Sequence, residues 1–363
     1  MDFAIVGVPQ SGKTTLFNAL TAGHGSAAGD GGGRGQDLLG TVKVPDERLQ
    51  KLAVLVAARK VTPIEIRLHD MAAIFHKGAG PSGTASETIA KSDALLHVVR
   101  DFDRPDAPHP EGSVDPARDV AAFESELIFF DLGVVERRLD KLDITVRSSR
   151  PGEREAGERE KALLERVKSE LEQEHPLRDV ILDPADLKAI ANYGFLSLKP
   201  MLLVVNIGED RVSEQGAIAA EWQSRTGAER TRATAVCAKL EAELAELPPD
   251  EADEFRRDMG APEGGTDLVL GAARELLGLV TFFTAGEQDT RAWTVPEGAS
   301  ALQAAGRIHT DIERGFIRAE VIAWDKLLEF GTHAEARKHG QLRQEGKTYV
   351  VQEGDVINVL FNV

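Results

Sequence analysis

The stretch GVPQSGKT, Gly7–Thr14, decides the fold. It matches the phosphate-loop pattern G-x4-G-K-[ST] and stands where that pattern has mechanical meaning. Before it the apolar run FAIVGV (3–8) reads as a buried strand, and after it TTLFNALTA (14–22) reads as a helix closed by Gly23. Gly7 and Gly12 let the backbone curl so that successive N–H groups and the helix N-terminus face the α- and β-phosphates of a nucleotide. Lys13 reaches toward the β- and γ-phosphates, which makes it a catalytic candidate as well as a binding one. The candidate phosphate-binding set is Pro9, Gln10, Ser11, Gly12, Lys13, Thr14 and Thr15. Thr14 is expected to ligate Mg²⁺ through its hydroxyl, and a second magnesium-side carboxylate is expected where a strand ends, at Asp70 closing IEIRLHD (64–70).

Working outward, GHGSAAGDGGGRGQDLLG (23–40) holds eight glycines and little that packs, so it is expected to be mobile, with regular structure resuming at Thr41. Short apolar runs follow at 40–44, 64–70, 93–99 (DALLHVV), 200–206 (PMLLVVN) and 233–236 (ATAV), separated by helical patterns. That alternation predicts an α/β domain with a mostly parallel sheet wrapped by helices. Between the runs at 93–99 and 200–206 the rhythm breaks. Ile128, Leu132, Val135, Leu139, Leu142 and Val146 form a coiled-coil seam, repeated by Leu164, Val167 and Leu171 after the breaker SSRPG (148–152). An inserted antiparallel helical hairpin is the economical reading, with EREAGEREK (153–161) as a solvated face. From Thr281 the texture turns to aromatic and β-branched runs, predicting a small strand-rich C-terminal domain.

A formal charge of -17 and a pI near 5.1 describe a chain that phosphates in bulk repel, so a nucleic-acid contact needs a local basic face. The single cysteine, Cys237, excludes an internal disulfide framework and fits a reducing compartment. Met1 runs straight into the apolar strand without a charged leader, and no apolar stretch approaches 18 residues. The chain is therefore expected in the cytoplasm, neither exported nor membrane-spanning.

Base recognition in P-loop switch proteins rests on Asn-Lys-x-Asp after a buried strand. Here PMLLVV is followed by Asn206, Ile207, Gly208 and Glu209. The lysine that covers the base is absent and the carboxylate stands one methylene further out, so the paired donors of guanine are no longer matched and guanine selectivity should be lost. Asn206, Ile207 and Glu209 are base-side candidates. Cys237 and Ala238, after the next strand, are candidates to supply a backbone N–H near the base; Cys237 itself reads as a small buried hydrophobe.

With these motifs in place, the chain resembles the Obg-like ATPases of the YchF type. The likeness is carried by VPDERLQKLA (44–53), SDALLHVVRDF (92–102), EGSVDPARD (111–119), CAKLEAELAEL (237–247), TFFTAGEQDTRAW (281–293), QAAGRIHTDIERGFIRAEVIAWDKL (303–327) and the closing LRQEGKTYVVQEGDVINVLFNV. The resemblance implies a P-loop NTPase domain in two parts, 1–122 and 196–280. It further implies the hairpin insertion at 123–195 and an α+β, ubiquitin-like TGS-type domain at 281–363. It also implies ATP preferred over GTP, slow hydrolysis, association with the ribosome or RNA, and a monomer. His109, in DAPHPEG, matches a loop histidine to which the family gives the water-orienting role. The basic residues Arg307, His309, Arg314 and Arg318 read by themselves as a solvated surface interleaved with acids; the resemblance turns them toward an RNA contact.

The chain also departs from that family. The loop before VPD offers Ser26, and aligns Arg34, where a threonine is usual. The Asp-x-x-Gly turn reads Asp70-Met71-Ala72-Ala73; Ile74 after it cannot orient water, but there the chain agrees with the family, which also has an apolar residue at that place. Two alternatives to a weak ATPase therefore stand: a non-hydrolysing nucleotide-binding scaffold, and a GTP-binding switch.

Overall fold

A computed structural model of the chain describes residues 1–24, 38–71, 83–148, 150–226, 229–261 and 263–362. Strands β1–β7 are Asp2–Val6, Leu38–Val44, Val61–Thr62, Ile64–Asp70, Ala94–Asp101, Met201–Ile207 and Thr231–Val236. Strands β8–β12 are Leu279–Thr284, Thr290–Pro296, Phe316–Ala323, Arg343–Glu345 and Asp355–Phe361. Helices α1–α5 are Lys13–His24, Glu47–Leu55, Gly83–Lys91, Pro116–Ser148 and Pro151–Glu172. Helices α6–α10 are Pro184–Ile190, Gln215–Thr226, Ala238–Leu244, Pro249–Asp258 and Gly265–Leu276. Four more, α11–α14, are Ala301–Ile308, Thr310–Arg314, Trp324–Phe330 and His333–Lys338. Among the described residues no helix is long and apolar enough to cross a membrane.

The chain divides by its contacts into two units: Met1–Val42 with Arg67–Leu276, and Lys43–Ile66 with Leu277–Val363. In the first, a six-stranded sheet has the order β2-β4-β1-β5-β6-β7. The β1–β4, β1–β5, β5–β6 and β6–β7 pairs are all parallel. Strands buried on both faces need continuous apolar sequence, and β6, MLLVVNI, is buried at every position. The expected runs all form strands, although β2 begins at Leu38, ahead of the expected Thr41. The rest of the glycine tract, 25–37, lies outside the described residues, as do Ala72, Ala73 and Ile74.

Helix α4 starts where Pro116 sets the first helical φ and Asp115 accepts from the Arg118 N–H at 3.0 Å. Its first turns are core: Phe123 and Leu127 pack with Ala4, Val6 and Leu95. Further along, the same helix becomes one arm of the predicted hairpin. Ile128, Val135 and Leu142 pack with Leu164, Val167 and Leu171 of α5, and Leu132 and Leu139 lie partly buried against them. Antiparallel direction follows from the ion pairs Glu136–Lys168 and Asp143–Lys161, at 3.0 and 2.6 Å. These are exposed and stabilise little; the apolar seam does more. Leu164→Ala, at a fully buried position, is expected to cost about 2 kcal/mol by creating a cavity, measured as a shifted denaturant midpoint.

The base of the hairpin is tied by Asp131 on α4, which is fully buried. Its carboxylate accepts from the Leu196 N–H, the Ser197 N–H and the Ser197 hydroxyl at 2.8, 2.8 and 2.6 Å. Burial pushes this carboxyl up to about 6, against the lowering effect of those donors.

The second unit is built on a six-stranded sheet of order β11-β10-β12-β8-β9-β3. Strands β8 and β9 form an antiparallel pair, β10 and β12 another, and Ser300 with Gln303 makes a capping box that starts α11 over them. Residues 43–66, which the sequence reading places with the P-loop segment, group here instead. β3 pairs in parallel with β9, Val61 opposite Thr290, and Thr62 donates to Asp289 at 3.0 Å. Among the basic residues 307–318, Arg307 donates to the Thr294 carbonyl, while His309 and Arg314 both lie near Asp311, at 3.4 and 3.9 Å.

Candidate functional site

In an open parallel sheet, loops leaving the carboxyl ends of the strands form the binding crevice. Here the ends of β1, β5, β6 and β7 open on one cavity of about 1060 Å³. Its walls are Gln10, Gly12, Lys13, Thr14 and Thr15 from the phosphate loop, Asp101–Asp106 and Val114 from the β5 loop, Asn206–Arg211 after β6, and Cys237 and Lys239 after β7.

The loop conformation requires its glycines. Gly7 has φ +142° and Gly12 φ +95°, both outside the range comfortable for a side chain. A Cβ on Gly7 would lie 2.4 Å from the Val98 carbonyl oxygen, and one on Gly12 would lie 2.1 Å from Asn206 Nδ2. Gln10 also adopts positive φ, +65°. The first turn of α1 leaves its N–H groups without intrahelical acceptors, and the helix dipole adds positive potential there. Lys13 is buried and donates to the Gly7 and Val8 carbonyls at 2.9 and 3.0 Å. Burial lowers its pKa, opposed by the charge of Asp70. Thr14 Oγ1 donates to Asp70 Oδ2 at 2.6 Å, so the two magnesium candidates meet although 56 residues separate them.

Asn206 has a different role from the one its sequence position suggests. Its side chain is almost fully buried. Nδ2 donates to the Ser11 carbonyl at 2.9 Å, and Oδ1 accepts from the Ala238 N–H at 3.0 Å. It thus clamps the phosphate loop to the start of α8. The Ala238 N–H, expected to face a base, is spent on this clamp. Ala238 is fully buried and does not line the cavity; Ser11 is buried likewise, and Pro9 points to solvent. Ile207 and Cys237 line the cavity as buried apolar surface, and burial pushes the Cys237 thiol up. Glu209 reaches the cavity and meets Lys239, whose Nζ lies 2.9 Å from Glu209 Oε1.

His109 stands apart from the cavity lining. Rather than an exposed loop residue, it is buried: Nε2 lies 2.8 Å from Asp119 Oδ2, and Nδ1 accepts from the Glu111 N–H at 3.1 Å. Arg118 bonds the other oxygen of Asp119 at 2.8 Å and the Ser113 carbonyl at 2.8 Å. The turn before α4 is therefore pinned to the first turn of that helix.

Sequence reasoning missed the 101–106 wall, and took Cys237-Ala238-Lys239 for a backbone N–H without foreseeing the Lys239 side chain at the cavity. Phe102 lies in the quoted run SDALLHVVRDF, yet what makes it a wall is tertiary. Buried Arg100 donates to its carbonyl at 3.1 Å, with the guanidinium carbon 4.8 Å from the ring centroid. Arg211 then bonds Asp101 at 2.8 Å, joining the β5 and β6 loops. Adjacency of β5 and β6, with Arg100 opposite Asn206 and Asp101 opposite Ile207, explains this convergence, and it is invisible in a linear reading. Chemically, the cavity offers an anion-binding end at the loop and a mixed apolar and charged end at Asn206–Arg211.

Comparison with known proteins bears on both units. A family model described as a 50S ribosome-binding GTPase matches residues 2–129, and one for the YchF GTPase C-terminal region, described as a protein of unknown function, matches 279–362. The chain is 39% identical over 364 residues to the ribosome-binding ATPase YchF of Bacillus subtilis, covering 99% of this chain and 98% of that one. It is 40% identical to the protein of the same name from Haemophilus ducreyi, with the same coverage. Among solved structures, the YchF GTPase of Schizosaccharomyces pombe superposes with a TM-score of 0.83 at 28% identity, covering 99% of this chain and 97% of that one.

Proposed function

The chain belongs to the YchF family, and on that premise we propose that it binds ATP with Mg²⁺ in this cavity, hydrolyses it slowly, and acts in association with the ribosome. The observation that carries the reading is that the phosphate loop and the Asn206–Glu209 segment share one cavity, joined by the Asn206 clamp. Phosphates fit the glycine turn and the N-terminus of α1, with Lys13 turning from the loop carbonyls to the β- and γ-phosphates. The paired Thr14 hydroxyl and Asp70 carboxylate suit Mg²⁺, a hard cation that takes one or two protein oxygens beside phosphate oxygens. When bound, it supplies charge neutralisation on the transferring phosphoryl group. Relatives named ATPase and a solved relative titled GTPase make the base the decisive variable. The Asn206–Glu209 segment, lacking the lysine and the shorter carboxylate that suit guanine, supports ATP.

Incubation of the purified chain with ATP and Mg²⁺ is expected to release phosphate above the level of a Lys13→Ala control, with that variant at least about 100-fold slower, as loss of a charged phosphate contact implies. Release no greater than the control would leave a nucleotide-binding scaffold instead. Direct titration should give a lower Kd for ATP than for GTP; the reverse order would make this a guanine switch. Co-sedimentation with ribosomes over a range of salt, with and without ATP, tests the partner. Failure to bind at low salt under either condition would remove it.

A further inference from the structure

The Lys239–Glu209 contact bears on how the cavity selects a base. Both residues line it, yet they leave from different strands: Glu209 follows β6, and Lys239 stands in the first turn of α8 after β7. Asn206, on β6, ties these segments together by accepting from the Ala238 N–H at the start of α8. Lys239 therefore reaches the carboxylate from a firmly held helix start, and its ammonium sits 2.9 Å from one oxygen, Oε1. Its second acidic neighbour, Glu243, is at 3.8 Å on the helix surface.

Guanine presents two donors side by side, N1–H and N2–H, and a carboxylate matches them only when both of its oxygens are available. Adenine presents a single exocyclic amino group and needs one acceptor. We propose that Lys239 is a specificity-determining residue that ties one oxygen of Glu209 in an ion pair and so holds the carboxylate out of the paired alignment that guanine requires. This rests on reading the cavity as a nucleotide site. The device is selection against the competing base: guanine is disfavoured because the carboxylate it needs is held in another orientation. Raised by the Glu209 carboxylate, the Lys239 pKa keeps the ammonium charged through the neutral range.

The test is the ratio of GTP to ATP dissociation constants, measured by titration with Mg²⁺ on the full chain, for wild type, Lys239→Met, Glu209→Gln and the double variant. An exposed ion pair is worth little, so the expected change is modest: a fall of about three- to fivefold in the ratio for Lys239→Met, through tighter GTP binding. In the Glu209→Gln background the same lysine change should leave the ratio within about 1.5-fold, because the acceptor pair is already gone. An unchanged or increased ratio in Lys239→Met, with wild type binding nucleotide, overturns the proposal alone. An equal fall with and without Glu209 also overturns it. Wild type that binds neither nucleotide overturns the reading of the cavity and the proposal with it.

Discussion

A Gly12→Ala protein is expected to fold and to bind nucleotide about 100-fold or more weakly than wild type, a loss of roughly 2.7 kcal/mol. Two independent effects act on one added methyl group. The backbone at φ +95° strains any side chain, and the new Cβ would stand 2.1 Å from Asn206 Nδ2. Relief requires either flattening the loop, which turns its N–H groups away from the phosphates, or pushing Asn206 aside, which breaks its bonds to Ser11 and Ala238. Both routes damage the cradle, while the sheet beneath, with β1 and β6 fully paired, is untouched. Calorimetric titration against thermal unfolding separates the two consequences: affinity should collapse while the unfolding temperature moves by only a few degrees. Affinity within tenfold of wild type would show that the loop tolerates a different path.

The second large effect lies away from the cavity. Asp131→Ala should cost about 3 kcal/mol, because it strands two buried N–H groups and a hydroxyl that no solvent reaches. A pH dependence accompanies it. The carboxyl sits at about 6 in the folded chain, above its ordinary value of 3.8, so between those values the folded state holds more protons than the unfolded. Its contribution is greatest below pH 3.8 and declines as pH rises to about 6. Asp131→Asn removes that slope, and urea unfolding at several pH values would display the difference. A variant curve parallel to wild type from pH 4 to 6 would contradict the assignment.

Much of this architecture was legible from residues alone, for identifiable reasons. Parallel strands buried on both faces must be apolar throughout, so β1, β5 and β6 announced themselves, and the hairpin seam kept its period from Ile128 to Leu171. The phosphate loop was legible because its glycines, its lysine and a hydroxyl side chain are required at their spacing. What escaped depends on which strands become neighbours. Nothing local in DF at 101–102 or in Lys239 marks them as cavity walls; the β5–β6–β7 order does. Asn206, read as a base-side residue, lines the cavity, but its buried amide bonds the loop and α8. His109 shows the opposite limit. The resemblance gives it a water-orienting role in the loop, whereas Asp119, ten residues on in the helix, draws the ring inside. Residues 43–66 grouped with the C-terminal strands for a similar reason: β3 is too short to register in sequence, and only its pairing with β9 reveals it.

The Asn206 clamp has a consequence for the order in which the molecule is made. Residues 7–14 leave the synthetic machinery well before the groups that lock them, Asn206 and Ala238, which follow about 195 and about 227 residues after Ser11. At ordinary elongation rates of roughly 5–20 residues per second, that interval is on the order of 10–45 seconds. Throughout it the phosphate loop exists without its brace. The phosphate loop is thus completed long after it is made, and a growing chain lacks the finished nucleotide site until Ala238 has emerged.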